Sequence, residues 1–175
     1  GKELAQIALA KTFKDGDFRA GYYRDQTFMT AIGQYSPKHM FSALYGDPEL
    51  EREPSSGSRQ MMNHFGTRFL NDDGSWKNLM NQKNSTSDMA CLASQFPRLV
   101  GLAQASQVYR RNKKLSEKKS TFTNNGSEIA FAPIGNSSCA EGHFWEAVNA
   151  IGVLQVPAII SIWDDGYGIS VSNEV

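Results

Sequence analysis

Cysteine is scarce in this 175-residue chain: only Cys91 and Cys139 occur. They stand far apart, and neither belongs to a C-x-x-C pair or a Cys/His cluster. That argues against a disulfide scaffold and a structural zinc site, and a reducing, cytoplasmic compartment is the simpler reading. Net charge is lacking as well. With 18 Lys+Arg against 18 Asp+Glu, no global field draws the chain to nucleic acid or to an anionic membrane, so any anion must be bound locally. The longest apolar run, "VPAIISIW", falls far short of the roughly 20 residues of a membrane span, and no signal-peptide pattern opens the chain. An internal repeat is missing too. The chain opens at "GKELAQIALAK" without a methionine and closes at "VSNEV" soon after a strand signal, which leads us to expect a soluble fragment of something longer.

What is present suffices for one globular domain, since 40% of the residues are hydrophobic and the length allows a core of ordinary size. "ELAQIALAKTF" carries apolar residues at helical spacing from Leu4 to Phe13 and is closed by the "KDGD" turn. "FRAGYYRDQ" is aromatic and charged without clear periodicity. "SPKHMFSALYGD" predicts a helix with Ser36 as N-cap, Pro37 in the first turn and Gly46 as the stop. Residues 47 to 86 are polar and rich in turns; so long a stretch without elements reads either as a functional loop or as a floppy surface insertion. "DMACLASQFPRLVGLAQASQVY" predicts a helix starting near Gln95 with Pro97 in its first turn. The basic run "RRNKKLSEKK" reads as its solvated C-terminal end, since it lacks the interleaved aromatics of a nucleic-acid surface.

The clearest organisation follows: a strand over 128 to 134, a helix over 141 to 152 and a strand over 157 to 163. Both strands are continuous apolar runs, as in a parallel sheet covered on both faces, so the segment is a βαβ unit. In such sheets ligands bind beyond the carboxyl ends of the strands. The first strand delivers Gly135, Asn136, Ser137 and Ser138; the second delivers Asp164, Asp165, Gly166 and Tyr167. Oxygens at adjacent strand ends suit a hard divalent cation such as magnesium, with Asn136 and Asp165 as ligands, and the helix opening near Ser138 to Glu141 favours a phosphate beside it. An alternative stays open here, in which Gly and Asp merely turn the chain after each strand.

These residues resemble a known family. "AEGHFWEAVNAIGVLQVPAIISIWDDGYGIS" is similar to the thiamine diphosphate signature of the α subunits of the decarboxylating component of 2-oxo acid dehydrogenase complexes. Three earlier stretches match in order: "YYRDQ" resembles the segment whose tyrosine and arginine hold the diphosphate; "GSRQMMNHFG" resembles G-R-Q-M-x-x-H-Y-G of branched-chain members; "CLASQFPRLVGLA" resembles P-L-A-T-Q-I-P-x-A-V-G-A. Together they cover residues 20 to 170. The resemblance implies an α/β thiamine-diphosphate-binding fold, a parallel sheet flanked by helices, of which residues 1–175 are a single incomplete pyrophosphate-binding domain. Its parts are a helical segment 1–46, an active-site loop region 47–86 and a metal and diphosphate unit 128–170.

By the same resemblance His64 is the active-site histidine, while His39 and His143 are bland. Tyr23, Arg24, Leu92, Gly135, Ser137, Ser138 and Trp163 fall at cofactor-binding positions, with Leu92 toward the aminopyrimidine. Asn136, Asp165 and the Tyr167 carbonyl fall at metal positions. The implied cofactors are thiamine diphosphate and Mg2+, with K+ as a candidate structural ion. The implied partners are a β subunit or fused β half, in a homo-oligomer or heterotetramer, and a lipoyl-bearing acyltransferase. The pattern is not followed throughout. The family's acidic residue is Asn136 here, its asparagine is Asp165, its third glycine is Ser137, and Trp163 stands where an arginine often touches the diphosphate. The amide and carboxylate have changed places, so one negative charge is kept, whereas one positive contact is lost. The implied activity is oxidative decarboxylation of a branched-chain, 2-oxoisovalerate-like 2-oxo acid, which these 175 residues alone are expected not to perform. The alternatives are another thiamine-diphosphate activity, such as acetoin dehydrogenase or a transketolase-like enzyme, and a non-catalytic paralogue.

Overall fold

The computed structural model describes residues 1–174. Four parallel strands form one sheet in the order β2-β1-β3-β4: β1 is Phe18–Ala20, β2 Asn84–Thr86, β3 Ala130–Gly135 and β4 Ala158–Trp163. Helices cover both faces, as the α/β expectation requires. Strand β3 is fully buried, and its side chains alternate between two cores. Ala130, Ala132 and Ile134 join Phe96, Leu99 and Ala103 of α4 (Gln95–Arg111) and Phe144 and Ala147 of α6 (Gly142–Leu154). Phe131 points the other way, into Ala10 and Phe13 beside α1 (Lys2–Thr12) and Phe28 and Met29 of α2 (Gln26–Ala31). The Phe28 and Phe131 ring centroids lie 5.2 Å apart across that contact.

The predicted strands β3 and β4 and the helices α4 and α6 stand within a few residues of their expected places. Helix α3 (Pro37–Leu44) has Ser36 as its N-cap, accepting from the His39 amide. Three differences have physical reasons. Strand β1 escapes a periodicity reading because its three residues centre on a fully buried arginine, Arg19. The 47–86 segment is not structureless: the Glu53 carboxylate collects the Ser55, Ser56 and Ser58 amides, Leu70 bridges Trp76, and β2 joins the sheet with buried Asn84 satisfied through the Leu79 carbonyl. The basic run is a separate helix, α5 (Lys113–Lys118), because Asn112 ends α4 and caps the next helix by accepting from the Leu115 amide. Helix α1 also differs in its facing. Leu4 and Ile7 are exposed, while Gln6 is buried and ties the helix inward by accepting from the Phe28 amide and donating to the Arg24 carbonyl. Among the described residues no helix is long and apolar enough to cross a membrane. After β4, two short strands, β5 (Tyr167–Gly168) and β6 (Val171–Ser172), form a hairpin over the sheet's carboxyl edge.

Candidate cofactor and metal site

Strands β1, β3 and β4 are neighbours and all parallel, so three carboxyl ends open onto one place. A cavity of about 250 Å3 lies there. The turn after β1 contributes Tyr22, Tyr23 and Arg24; the turn after β3 contributes Gly135, Asn136, Ser137 and Ser138; the β5–β6 hairpin contributes Tyr167, Gly168 and Ile169; and Leu92 closes one side. Arg24 is the charged residue of this lining. Its guanidinium stands 5.8 and 5.5 Å from the Tyr22 and Tyr23 ring centroids and reaches the Tyr23 hydroxyl at 3.4 Å. Cation–π contact on two rings fixes the positive head that an anion would meet. Burial pushes the Tyr22 phenol above its ordinary pKa, so that hydroxyl stays neutral and able to donate. Gly135 suits this packing, since a Cβ there would lie 2.9 Å from the Tyr22 hydroxyl and push it aside.

Across the cavity, Asn136 Nδ2 donates to the Tyr167 carbonyl at 3.2 Å and to Asn173 Oδ1 at 3.1 Å. Asn173 Nδ2 in turn donates to Asp164 Oδ1 at 3.4 Å. Two of the three expected metal positions are therefore in contact, with an amide, a backbone carbonyl and a second amide as oxygen sources. Ser137 is unstrained, because its φ is not among the positive values. Its hydroxyl occupies the space left by Gly168, where a Cβ would overlap Ser137 Oγ. The missing third glycine of the turn is compensated by a glycine on the facing hairpin.

A family model for the dehydrogenase E1 component matches residues 1–175. This chain belongs to the dehydrogenase E1 component family. One similar protein is the 2-oxoisovalerate dehydrogenase subunit alpha of Bacillus subtilis (strain 168), 29% identical over 172 residues, covering 98% of this chain and 42% of the relative. The chain thus spans less than half the length of that curated relative.

Three expected site residues of this E1 chain stand outside the cavity. Asp165 turns its carboxylate away: Oδ2 accepts from Lys2 Nζ at 2.6 Å and Oδ1 from the Tyr167 amide at 3.2 Å. The hydrogen bond from Lys2, with that amide, holds Asp165 below the usual carboxylate range. Trp163 is buried, packs edge-on against Tyr22 at 6.1 Å and donates from Nε1 to Ser161 Oγ. With Lys2, Asp164 and Asp165 it lines another cavity of about 660 Å3, so it backs the turn after β1 through Tyr22 and is not part of the candidate site's lining. His64 sits on the loop before β2, with Nδ1 3.3 Å from the Met62 carbonyl. Among the described residues no group of three or more His, Cys, Asp or Glu is placed to hold a metal, which leaves a site of amide and carbonyl oxygens with one carboxylate at hand.

Sequence reasoning missed several contributors. His143, read as bland, places Nε2 2.7 Å from the Leu92 carbonyl and so steadies the segment that carries Leu92. Ala93, next to it, is fully buried with φ +59°, a strained backbone of the kind held at functional sites. Tyr22 was legible as half of the Tyr-Tyr doublet. Asn173, Gly168 and Lys2 carry no motif signal, since their roles exist only once the hairpin and α1 have folded against the strand ends.

Proposed function

We propose that the protein is the α portion of a thiamine-diphosphate-dependent 2-oxo acid dehydrogenase, acting on a branched-chain, 2-oxoisovalerate-like acid and passing the acyl group to a lipoyl carrier. The observation that carries this reading is the convergence of Tyr22, Tyr23, Arg24, Asn136, Ser137 and Tyr167 on one cavity. Its chemistry fits a diphosphate with its cation: one fixed guanidinium, several hydroxyl donors, and a Gly135 cradle that a Cβ would fill. Arg24 and the Tyr23 hydroxyl would bind the diphosphate together with Ser137 and Ser138. Magnesium would take Asn136 Oδ1 and the Tyr167 carbonyl, with Asp165 joining after it leaves Lys2. Magnesium's preference for oxygen ligands shared with substrate phosphates supports this set.

When bound, thiamine diphosphate supplies the nucleophilic carbon and the electron sink for loss of carbon dioxide. The residues of this chain orient and shield it. Leu92, braced by His143, bears on the cofactor's flank. His64 would meet the substrate or hold a proton beside it, and must be carried from its loop toward the cavity edge. A β subunit or β half supplies the carboxylate for the aminopyrimidine ring, and a lipoyl-bearing acyltransferase takes the product, in the cytoplasm and within a heterotetramer or homo-oligomer.

The departures at Asn136 and Ser137 and the Asp165–Lys2 pairing favour one competing reading, a non-catalytic subunit. Calorimetric titration of the full-length protein with thiamine diphosphate and Mg2+ separates the two. Saturable micromolar binding, with 2-oxoisovalerate-dependent reduction of an artificial acceptor, is expected. No saturation at millimolar ligand would establish the non-catalytic reading, and turnover of sugar phosphates alone would sink the substrate assignment.

A further inference from the structure

Beneath the cofactor cavity lies an ion cluster that the roles above do not use. Arg19, Asp25 and Asp88 are all inaccessible at the side chain. Arg19 donates to Asp25 from Nε and Nη2 and to Asp88 Oδ2 from Nη2 at 3.1 Å, and its Nη1 forms an ion pair at 3.0 Å with Asp88 Oδ1, which lacks a hydrogen-bond partner. The guanidinium also donates to Ser85 Oγ on β2 and to the Tyr22 carbonyl. Burying three charges is costly, and a cluster used only for rigidity could be replaced by apolar packing.

Its connections are specific. One arm reaches the diphosphate turn: Arg19 holds the Tyr22 carbonyl, and Asp25, whose amide also bonds that carbonyl, precedes α2. The other arm reaches the histidine loop: Asp88 Oδ2 accepts from the Phe65 amide, the residue after His64, and the Asp88 amide donates back to the Phe65 carbonyl. The Arg19 guanidinium also stands 5.8 Å from the Phe65 ring centroid. Gly21 leaves the room for this cluster, since a Cβ there would overlap both Asp88 and Arg19. Burial pushes the Asp25 carboxyl above its ordinary range against the pull of Arg19.

We propose that Arg19, Asp25 and Asp88 are positioning residues that couple the diphosphate turn at Tyr22–Asp25 to the His64 loop, so that filling the anion site orders the histidine. This rests on the cofactor reading above for what fills the site, but the mechanical link does not. Hydrogen exchange on the full-length protein, read at peptide 61–66 with α4 as internal control, tests both parts.

Asp25→Asn removes one charge and has no hydrogen bond to the histidine loop except by way of Arg19, since its other hydrogen bonds go to Tyr22 and Met29. It should speed exchange in 61–66 at least threefold without ligand, leaving α4 unchanged. Should Asp25→Asn fail to fold, Ser85→Ala is read the same way. Unchanged exchange in 61–66, or equal acceleration in α4, overturns the link. In the unsubstituted protein thiamine diphosphate with Mg2+ should slow exchange in 61–66. In Asp88→Asn the cofactor should bind within threefold of normal while that slowing disappears; slowing that persists overturns the coupling. Absence of cofactor binding in the unsubstituted protein counts against the cofactor reading and against ordering by a filled site, and the ligand-free arm still decides the link.

Discussion

At the scale of single residues, the Asn136 and Asp165 exchange and the Ser137 and Gly168 pair are the informative positions. The Asn136 amide can present either oxygen or nitrogen to the cavity, depending on a rotation that hydrogen bonding decides. In the proposed metal set only Asp165 carries a charge. Asp165→Asn should therefore weaken Mg2+-dependent cofactor binding more than Asn136→Asp, by about tenfold, the ratio that ~1.4 kcal/mol represents; equal losses in calorimetry would show the ligand set is misassigned. The second pair predicts a compensation. Gly168→Ala should destabilise the protein by about 1–3 kcal/mol through overpacking, because the new methyl overlaps Ser137 Oγ. Ser137→Gly should recover most of that loss in a thermal melt of the double variant. Ser137 was legible in the sequence as a departure from a glycine pattern. Its remedy was not, because Gly168 lies on the facing hairpin and only the fold makes the two neighbours.

At the scale of elements, legibility followed apolar runs. Strands β3 and β4 stand out because covered parallel strands need continuous hydrophobic residues. Strands β1 and β2 are three residues each, centred on Arg19 and on Asn-Ser-Thr, and their burial is met by hydrogen bonds that no window of hydropathy contains. The same logic shaped the 47–86 segment. Burial works against the Glu53 carboxylate, but the Ser58, Ser56 and Ser55 amides and the Ser56 hydroxyl outweigh it and hold its pKa below the ordinary 4.5. A lowered folded-state pKa means the stabilisation is complete above the unfolded value and is lost as pH falls through the folded one. Glu53→Gln should thus cost about 1.5–3 kcal/mol near neutral pH, the range for hydrogen bonds to a charged group, and the gap to the unsubstituted protein should narrow below pH 4.5. Denaturant melts at pH 7 and pH 3.5 check this; a gap independent of pH would remove the charge from the explanation.

At the scale of the molecule, the two edge strands of the sheet differ: Thr67 bonds the backbone of β2 at Ser85, whereas among the described residues no strand lies beyond β4. Strand β4 pairs only with β3 in the order observed, so its far edge presents unpaired backbone groups. On β4 the apolar residues Ile159 and Ile162 are 43 and 52% exposed. An edge strand with uncovered apolar side chains is a template for association, and no lysine or proline interrupts β4 to prevent it. The candidate cavity, about 250 Å3, is small for the ~300–1,000 Å3 typical of ligand sites, as the proposed sharing of the site with a β subunit requires. The 175-residue chain by itself should therefore self-associate, showing a concentration-dependent mass in light scattering, and should show no 2-oxo acid turnover. Ile162→Lys places a charge at one of the two exposed isoleucines of β4 and should shift the chain toward monomer without restoring activity. On the function proposed above, activity should appear only when a full-length α chain and the proposed β partner are supplied. A monodisperse, active 175-residue chain would mean that the open edge and the half-walled cavity have been misread.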